Sequence, residues 1–407
     1  MKLDIYMLFR DNPYSPTGIG WTVMREIYLN YLPRFGHNIN WIFSCKEEEM
    51  EYLSEMAHAY PVPYFFSRSL PGRVFNRILQ AYRIAKIATR IISRQGPSII
   101  QANWDLIDGL VALYVARRRK APFVLLWDEP LEMAYESRKL ETGKHSYLHY
   151  LMLKLGNPLL RYIMRKADLI LMSELKKREW VNRGIEESKI TAIHGVNVDL
   201  FSPDKVEGDI RREYGLGDSK VILYTGTMAR IRRLDMLIRN FSKIREAKRN
   251  AKLLMVGDGT GKADLERLAD ELGVKRDIVF TGLVPYLDVP DFIAASDIAV
   301  SAVPPLDLYR ASSPSKLVEY MAMAKPVVAN EEIAAHREAI EQSGGGMLVP
   351  FSEEAFASAI IELLDNPEKA LEMGRRGRQW VLKNRSYEVL ARRLERRYFQ
   401  LLRKSGR

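Results

Sequence analysis

Short apolar runs alternate with helix-period patterns along almost the whole chain, and this alternation confines it to layered α/β architectures with parallel sheets. Residues 3–9 read as a first strand, 10–20 as a loop and 21–35 as a helix, and further strands are expected near 39–44, 98–102, 122–127, 168–172 and 190–194. A second series opens at Val221-Ile222-Leu223-Tyr224-Thr225-Gly226 and continues through 253–259, 278–282, 297–301 and 344–350. Helices are expected over roughly 353–364, 367–383 and 386–403. With 407 residues the chain is long for a single core, and two wound series imply two domains. The linker between them is expected around 196–215.

Composition narrows the function classes. Hydrophobic content of 47% and charged content of 28% are ordinary for a globular protein. The single cysteine, Cys45, excludes an internal disulfide and a cysteine zinc cluster, and it fits a reducing compartment. The first ten residues acquire charge too soon for a signal peptide, and no apolar run reaches bilayer-spanning length. The expectation is a cytoplasmic protein.

Net charge is +11 and unevenly spread. Between Glu55 and Asp105 there is no acidic residue, while Arg68, Arg73, Arg77, Arg83, Lys86, Arg90 and Arg94 all fall there. On a helical wheel Arg83, Lys86, Arg90 and Arg94 form one stripe, with Phe75, Ile78, Tyr82, Ala85 and Ile92 mainly on other sides. The bland reading is a helix packed on a sheet with a solvated basic face. The long absence of acid points instead to peripheral contact with an anionic membrane, on the inner face. A nucleic-acid partner is not expected, because no recognisable reading module accompanies the charge.

The segment with the most chemistry is Ser312-Ser313-Pro314-Ser315-Lys316-Leu317-Val318-Glu319-Tyr320-Met321-Ala322-Met323-Ala324-Lys325-Pro326-Val327-Val328. Pro314 suits a helix opening, where a missing N–H costs nothing. The free N–H groups and positive dipole end of that helix form an anion site. Lys316 adds a full charge beside it, and Glu319, one turn on, offers a carboxylate to a vicinal diol. A phosphate grip next to a diol grip suits a nucleotide.

This segment resembles the nucleotide-sugar signature of the family 4 retaining glycosyltransferases, which have the GT-B fold. Glu319 matches the second of the family's two glutamates. Ala311 stands at the first, and Ala324 replaces the usual glycine of the turn before the Lys-Pro-Val-Val strand. Ala167-Asp168-Leu169-Ile170-Leu171-Met172-Ser173-Glu174 resembles the family's last core strand of the first domain. His194-Gly195-Val196-Asn197-Val198-Asp199 resembles its interdomain turn. The resemblance implies two Rossmann-like doubly wound domains facing a central cleft. Residues 1–203 would form the acceptor-side domain and 204–385 the nucleotide-sugar domain, with a final helix over 386–407 packing back on the first.

It also implies site residues. The family holds the donor diphosphate with cations in the loop after the first strand of the second domain. In Thr227-Met228-Ala229-Arg230-Ile231-Arg232-Arg233, Arg232 aligns with the family lysine and Arg230 reaches from a shifted position. Arginine suits phosphate because its planar fork binds two oxygens. Ser313, Ser315 and Leu317 flank Lys316 and are expected at the donor. Gly257, in Gly257-Asp258-Gly259-Thr260-Gly261, is read as a tight turn beside the nucleotide, since glycine spacing alone is weak evidence for a dinucleotide loop. Leu283 is placed near the base, with a core leucine as the alternative. Gly18 and Gly20 match a family glycine pair near the phosphates, with a structural turn as the alternative.

For catalysis the resemblance offers less. Many relatives end a first-domain strand with His-Asp, whereas this chain has Trp127-Asp128-Glu129. Asp128 remains a candidate for contact with sugar or acceptor, and so does Asp105, each against a solvated carboxylate. His37 and His194 sit in turns and read as structural. Retention in this fold needs no strong protein base, because the departing diphosphate can take the acceptor's proton. Arg232, Lys316 and the helix N-terminus would then stabilise leaving-group charge.

No Asp-x-Asp motif occurs, and neither a metal nor any other cofactor is expected, the nucleotide sugar being a substrate. The expected partners are a UDP- or GDP-linked sugar and a glycan, glycolipid or lipid-linked acceptor. A non-catalytic nucleotide-sugar-binding module or partner subunit is the alternative, motivated by Ala311 and Trp127, and an epimerase of the same fold resembles less.

Overall fold

The computed structural model describes residues 2–9, 23–46, 58–64, 69–92, 96–103, 105–127, 147–306, 309 and 314–404. The chain divides into two compact units. Among the described residues, the first contains those up to His194 together with Tyr387–Lys404, and the second contains Gly195–Ser386.

The first unit is built on a seven-stranded sheet of order β3-β2-β1-β4-β5-β6-β7. Its strands are β1 (Asp4–Phe9), β2 (Asn38–Cys45), β3 (Ala59–Pro63), β4 (Ser98–Asn103), β5 (Phe123–Leu126), β6 (Leu169–Met172) and β7 (Ile190–Ala192). Every pairing is parallel. Parallel strands covered on both faces read as continuous apolar runs, which is how most of these were legible. The strand β3, Ala-Tyr-Pro-Val-Pro, was not expected. It sits at the sheet edge, where proline's missing donor does no harm.

The helices of this unit are α1 (Met24–Tyr31, wound as a π-helix), α2 (Leu70–Ile91), α3 (Leu106–Arg119), α4 (Tyr147–Lys166) and α5 (Glu174–Asn182). One face of the sheet packs on α2, α3 and α4 through Ile84, Ala88, Val111, Val115, Leu160 and Ile163. The other face packs on α1 and on the last helix.

The second unit has a six-stranded parallel sheet of order β10-β9-β8-β11-β12-β13. Its strands are β8 (Lys220–Thr225), β9 (Ala251–Val256), β10 (Ile278–Gly282), β11 (Ile298–Ser301), β12 (Val327–Asn330) and β13 (Gly346–Val349). Around it lie α6 (Asp235–Ala247), α7 (Lys262–Glu271), α8 (Val289–Ala294), α9 (Ser315–Ala322), α10 (Ala334–Ser343), α11 (Glu353–Asp365) and α12 (Pro367–Asn384).

The division falls at His194/Gly195, earlier than the expected 203/204, because Val196 and Phe201 are already buried among Leu223, Ile293 and Tyr320 of the second unit. The last helix, α13 (Tyr387–Lys404), belongs to the first unit. Leu390, Ala391, Leu394, Tyr398 and Leu402 recur at helical spacing and are buried against β1 and α1.

Ala324 follows α9 at φ +55°, so the alanine keeps the left-handed conformation that glycine takes without strain. The basic stripe of α2 holds at Lys86 and Arg90, which are exposed, while Arg94 lies outside the described residues. Arg83 is half-buried and donates to the Pro63 carbonyl at 3.2 Å. What faces solvent is Phe75, Ile78 and Tyr82, then Lys86 and Arg90.

Candidate donor site of the second unit

The helix α9 opens at Pro314, whose extended backbone leaves the first turn without a side-chain cap. Lys316 and Glu319 are three residues apart and therefore share one side of the helix, while Leu317 lies on the other. Leu317 is 2% exposed and packs in the core, so its side chain is withdrawn from the expected donor site. Ser315 is exposed and hydrogen-bonds Glu319.

Lys316 is only partly exposed, and its Nζ stands 3.9 Å from the centroid of the Tyr224 ring at the end of β8. The aromatic face holds the ammonium by its quadrupole. Gly226, two residues on, has φ +130°, and a Cβ there would come within 2.9 Å of Lys316 Nζ. The glycine therefore leaves room for the cation as well as the turn.

Arg232 ends the short helical turn Arg230–Arg232, and its guanidinium carbon lies 4.5 Å from the Tyr309 ring centroid. It is close enough to act on Lys316: burial first and Arg232 second push the lysine down to about 7, against the pull of Glu319. Glu319 is itself buried, and loss of solvent pushes its carboxyl up to about 7, opposed by Lys316 and by hydrogen bonds from Tyr286 and Ser315. The Tyr286 hydroxyl lies 3.4 Å from Glu319 Oε1. Arg232 also pulls on the buried Tyr224 phenol, which burial raises to about 12.

Arg230 is turned elsewhere. Its Nε donates to Asp264 Oδ2 of α7 at 2.8 Å in an exposed ion pair, so Arg232 is the guanidinium beside Lys316. Gly257 has φ +132°, and a Cβ on it would lie 2.2 Å from the Gly226 carbonyl oxygen. Gly259 presses equally closely on the Met228 backbone, and Gly261 N–H donates to the Met228 carbonyl at 2.7 Å. This glycine loop thus packs backbone to backbone against the loop that carries Arg232. Leu283 is 82% exposed, which excludes the core alternative.

Behind the cluster, His336 is fully buried. Its Nδ1–H donates to the Asn330 carbonyl at 2.9 Å, leaving Nε2 to accept from the Ser301 hydroxyl at 2.9 Å. Burial lowers the ring to about 4, so it stays neutral. The sequence reading did not single out Tyr224, Tyr286, Tyr309 or His336. Tyr224 at the carboxyl end of a strand was the one with a visible signal.

Asp128, Ser313, Gly18 and Gly20 lie outside the described residues. Asp105 caps α3, accepting from Ile107 N–H at 2.8 Å and Asp108 N–H at 3.0 Å, and pairs with Arg77 at 2.6 Å. Those bonds give Asp105 a structural role at the start of the helix. His37 is structural: Nδ1 accepts from Leu3 N–H at 3.2 Å and Nε2 faces Glu395 at 2.8 Å. Among the described residues no cluster of metal-ligating side chains occurs.

Residues 206–380, which span this cluster, match the family model of glycosyl transferases group 1. The matched stretch lies wholly within the second unit. It is 28% identical over 282 residues to the GDP-mannose-dependent alpha-(1-6)-phosphatidylinositol monomannoside mannosyltransferase of Mycolicibacterium smegmatis, covering 67% of this chain and 73% of the relative. Two other curated relatives are matched over about half their length, 54% and 53%. Anabaena HepE in complex with UDP superposes with a TM-score of 0.71 at 15% identity, over 97% of this chain and 98% of that one. A glycosyltransferase from Rickettsia africae gives 0.71 at 20% identity, over 98% and 99%. The fold is GT-B.

Proposed function

We propose that this chain is a transferase that moves a sugar, with retained configuration, from a UDP- or GDP-linked donor to a glycan, glycolipid or lipid-linked acceptor. The observation that carries the reading is Lys316 set against the Tyr224 ring and Arg232 against the Tyr309 ring beside the uncapped N-terminus of α9, with the Glu319–Tyr286 pair one turn on. Two neighbouring cations with no carboxylate hydrogen-bonded to either among the described residues are suited to a diphosphate. The buried carboxylate one turn on is suited to the ribose diol. The relative that acts on a phosphatidylinositol mannoside with GDP-mannose, and the neighbour that holds UDP, support the substrate class. In this reading the diphosphate leaves with its charge spread over Lys316, Arg232 and the α9 amides and takes the acceptor's proton on the same face of the sugar. The step uses no metal and no cofactor.

A thermal-shift series with UDP, GDP, UDP-glucose and GDP-mannose tests the donor class. A ligand near a hundred times its dissociation constant adds about 2.7 kcal/mol to the native state, which for a domain of this size moves Tm by roughly 5–10 °C. Lys316→Ala should abolish the shift. Flat melting curves with all four compounds would end the reading. Binding without release of nucleoside diphosphate, over a broad acceptor panel, would favour the non-catalytic module.

The same reading places the enzyme as a peripheral protein on the cytoplasmic face of a membrane, and the outward surface of α2, α3 and α4 supports it. Phe75, Ile78 and Tyr82 are 63–65% exposed on α2. Leu110 and Tyr114 of α3 line an open groove of about 460 Å³ with Tyr162 of α4 and the arginines Arg117 and Arg118. Asp108, the one carboxylate within the three helices, is buried and held by Arg77 at 2.9 Å. Aromatic wedges, cations and no exposed acid suit an anionic lipid surface. Among the described residues no helix is long and apolar enough to cross a membrane. Vesicles containing phosphatidylglycerol should co-sediment the protein and phosphatidylcholine vesicles should not. Phe75→Ser with Tyr82→Ser should weaken that binding about tenfold or more. Equal failure of the parent on both vesicles removes the idea, and an unaffected double variant removes this surface.

A further inference from the structure

The first sheet reverses its winding between β1 and β4, since β1 pairs with both β2 and β4. In an open parallel sheet, ligands lodge outside the carboxyl ends of the strands at that switch point. The last residue of β4 is Asn103, 2% exposed. Its Oδ1 accepts from Gln101 Nε2 at 3.1 Å. Gln101 Oε1 in turn accepts from the hydroxyls of Tyr28 at 2.9 Å and Tyr398 at 2.8 Å, which lie 3.0 Å from each other. With both tyrosine hydroxyls donating to its carbonyl oxygen, Gln101 turns its amino group to Asn103, and Asn103 turns its own amino group away. Among the described residues that Nδ2 has no hydrogen-bond partner.

A buried amide donor without a partner is costly, and natural structures leave few of them. Here partnered side chains from α1, β4 and α13 hold the donor in place, at the end of the sheet where ligands collect. We infer that Asn103 Nδ2 is a substrate-binding donor of the first unit, taking a hydroxyl or phosphoryl oxygen of the acceptor. The inference rests on the transferase reading and deepens it. Tyr28, Tyr398 and Gln101 are then positioning residues, and the last helix reaches the acceptor through them.

The test compares the full chain with Asn103→Ala and Tyr398→Phe. The donor is whichever nucleotide sugar raises Tm, and the acceptors are detergent-dispersed phosphatidylinositol and diacylglycerol with a panel of simple glycosides. Losing a hydrogen bond to an otherwise buried oxygen should raise the acceptor KM of Asn103→Ala about tenfold or more. The KM for the nucleotide sugar and the Tm shift given by UDP or GDP alone should stay at parental values. Tyr398→Phe leaves Gln101 one tyrosine donor and should lose less, in the same parameter. A parental acceptor KM in Asn103→Ala overturns the inference, and so does a rise confined to the nucleotide-sugar KM. A parent that neither binds nor turns over any nucleotide sugar overturns the transferase reading, and this inference with it.

Discussion

Replacing Lys316 with methionine should lower turnover about a hundredfold or more and, at the same time, make the protein harder to melt. The loss follows from the role proposed for Lys316, since removing one donor to developing charge in a dry site costs about two to three powers of ten. The gain follows from where the ammonium sits. Its Nζ lies 3.9 Å from the Tyr224 ring centroid, with Gly226 behind it and Arg232 close enough to repel it. Burial and that repulsion lower the lysine from 10.5 to about 7. The folded-state value is depressed, so stability is full above the unfolded value and is lost as pH falls through 7. Methionine keeps the length, suits the aromatic face and carries no charge. Its advantage should therefore be largest near about pH 6 and shrink toward about pH 10. After discounting for the partial exposure of Lys316, about 1–2 kcal/mol is expected, a rise of a few degrees. Paired melting curves and single-turnover rates check both halves. A methionine variant that melts lower at every pH, or that turns over normally, would remove Lys316 from this role.

Glu319→Gln should act on the other limb. A carboxylate accepts both hydrogen bonds of a vicinal diol, whereas an amide offers one acceptor and an opposing donor, so the nucleotide-sugar KM should rise about ten- to a hundredfold. Burial raises Glu319 from 4.5 to about 7, the reverse of an ordinary paired carboxylate. The contribution to stability is therefore full below 4.5 and is lost as pH rises through 7. The glutamine variant should match the parent near about pH 4 and exceed it near about pH 8. Donor binding carries the same signature. In the parent it needs the carboxylate of Glu319 and the ammonium of Lys316, so it should peak around neutrality and fall on both sides. The substitution should erase the acidic limb and leave the basic one. An acidic limb that survives in Glu319→Gln would mean that another group sets it.

The wound series of strands could be read from sequence because parallel strands buried on both faces announce themselves as apolar runs. The strand β3 could not, since two prolines in five residues mimic a loop and only an edge position excuses them. Within the segment 314–322, helical periodicity separates Lys316 and Glu319 from Leu317, whose side chain turns to the core. The three tyrosines are a different matter. Tyr224, Tyr286 and Tyr309 come from separate stretches of chain and acquire meaning only when folding brings their rings or hydroxyls to Lys316, Glu319 and Arg232. Arg230 and Arg232 were indistinguishable as cations two residues apart until Asp264, on a helix some thirty residues later, was seen to hold the first.

The first unit is interrupted: its strands precede Gly195, yet one of its core helices follows Ser386. During synthesis the ribosome therefore delivers a sheet whose α1-side face stays partly uncovered until Leu390, Leu394 and Tyr398 emerge, after all of the second unit has been made. The second unit can close on its own while the first waits. A premature stop near residue 386 would spare the donor cluster and leave the first sheet with an open apolar face, a product that quality control would meet as an aggregation hazard.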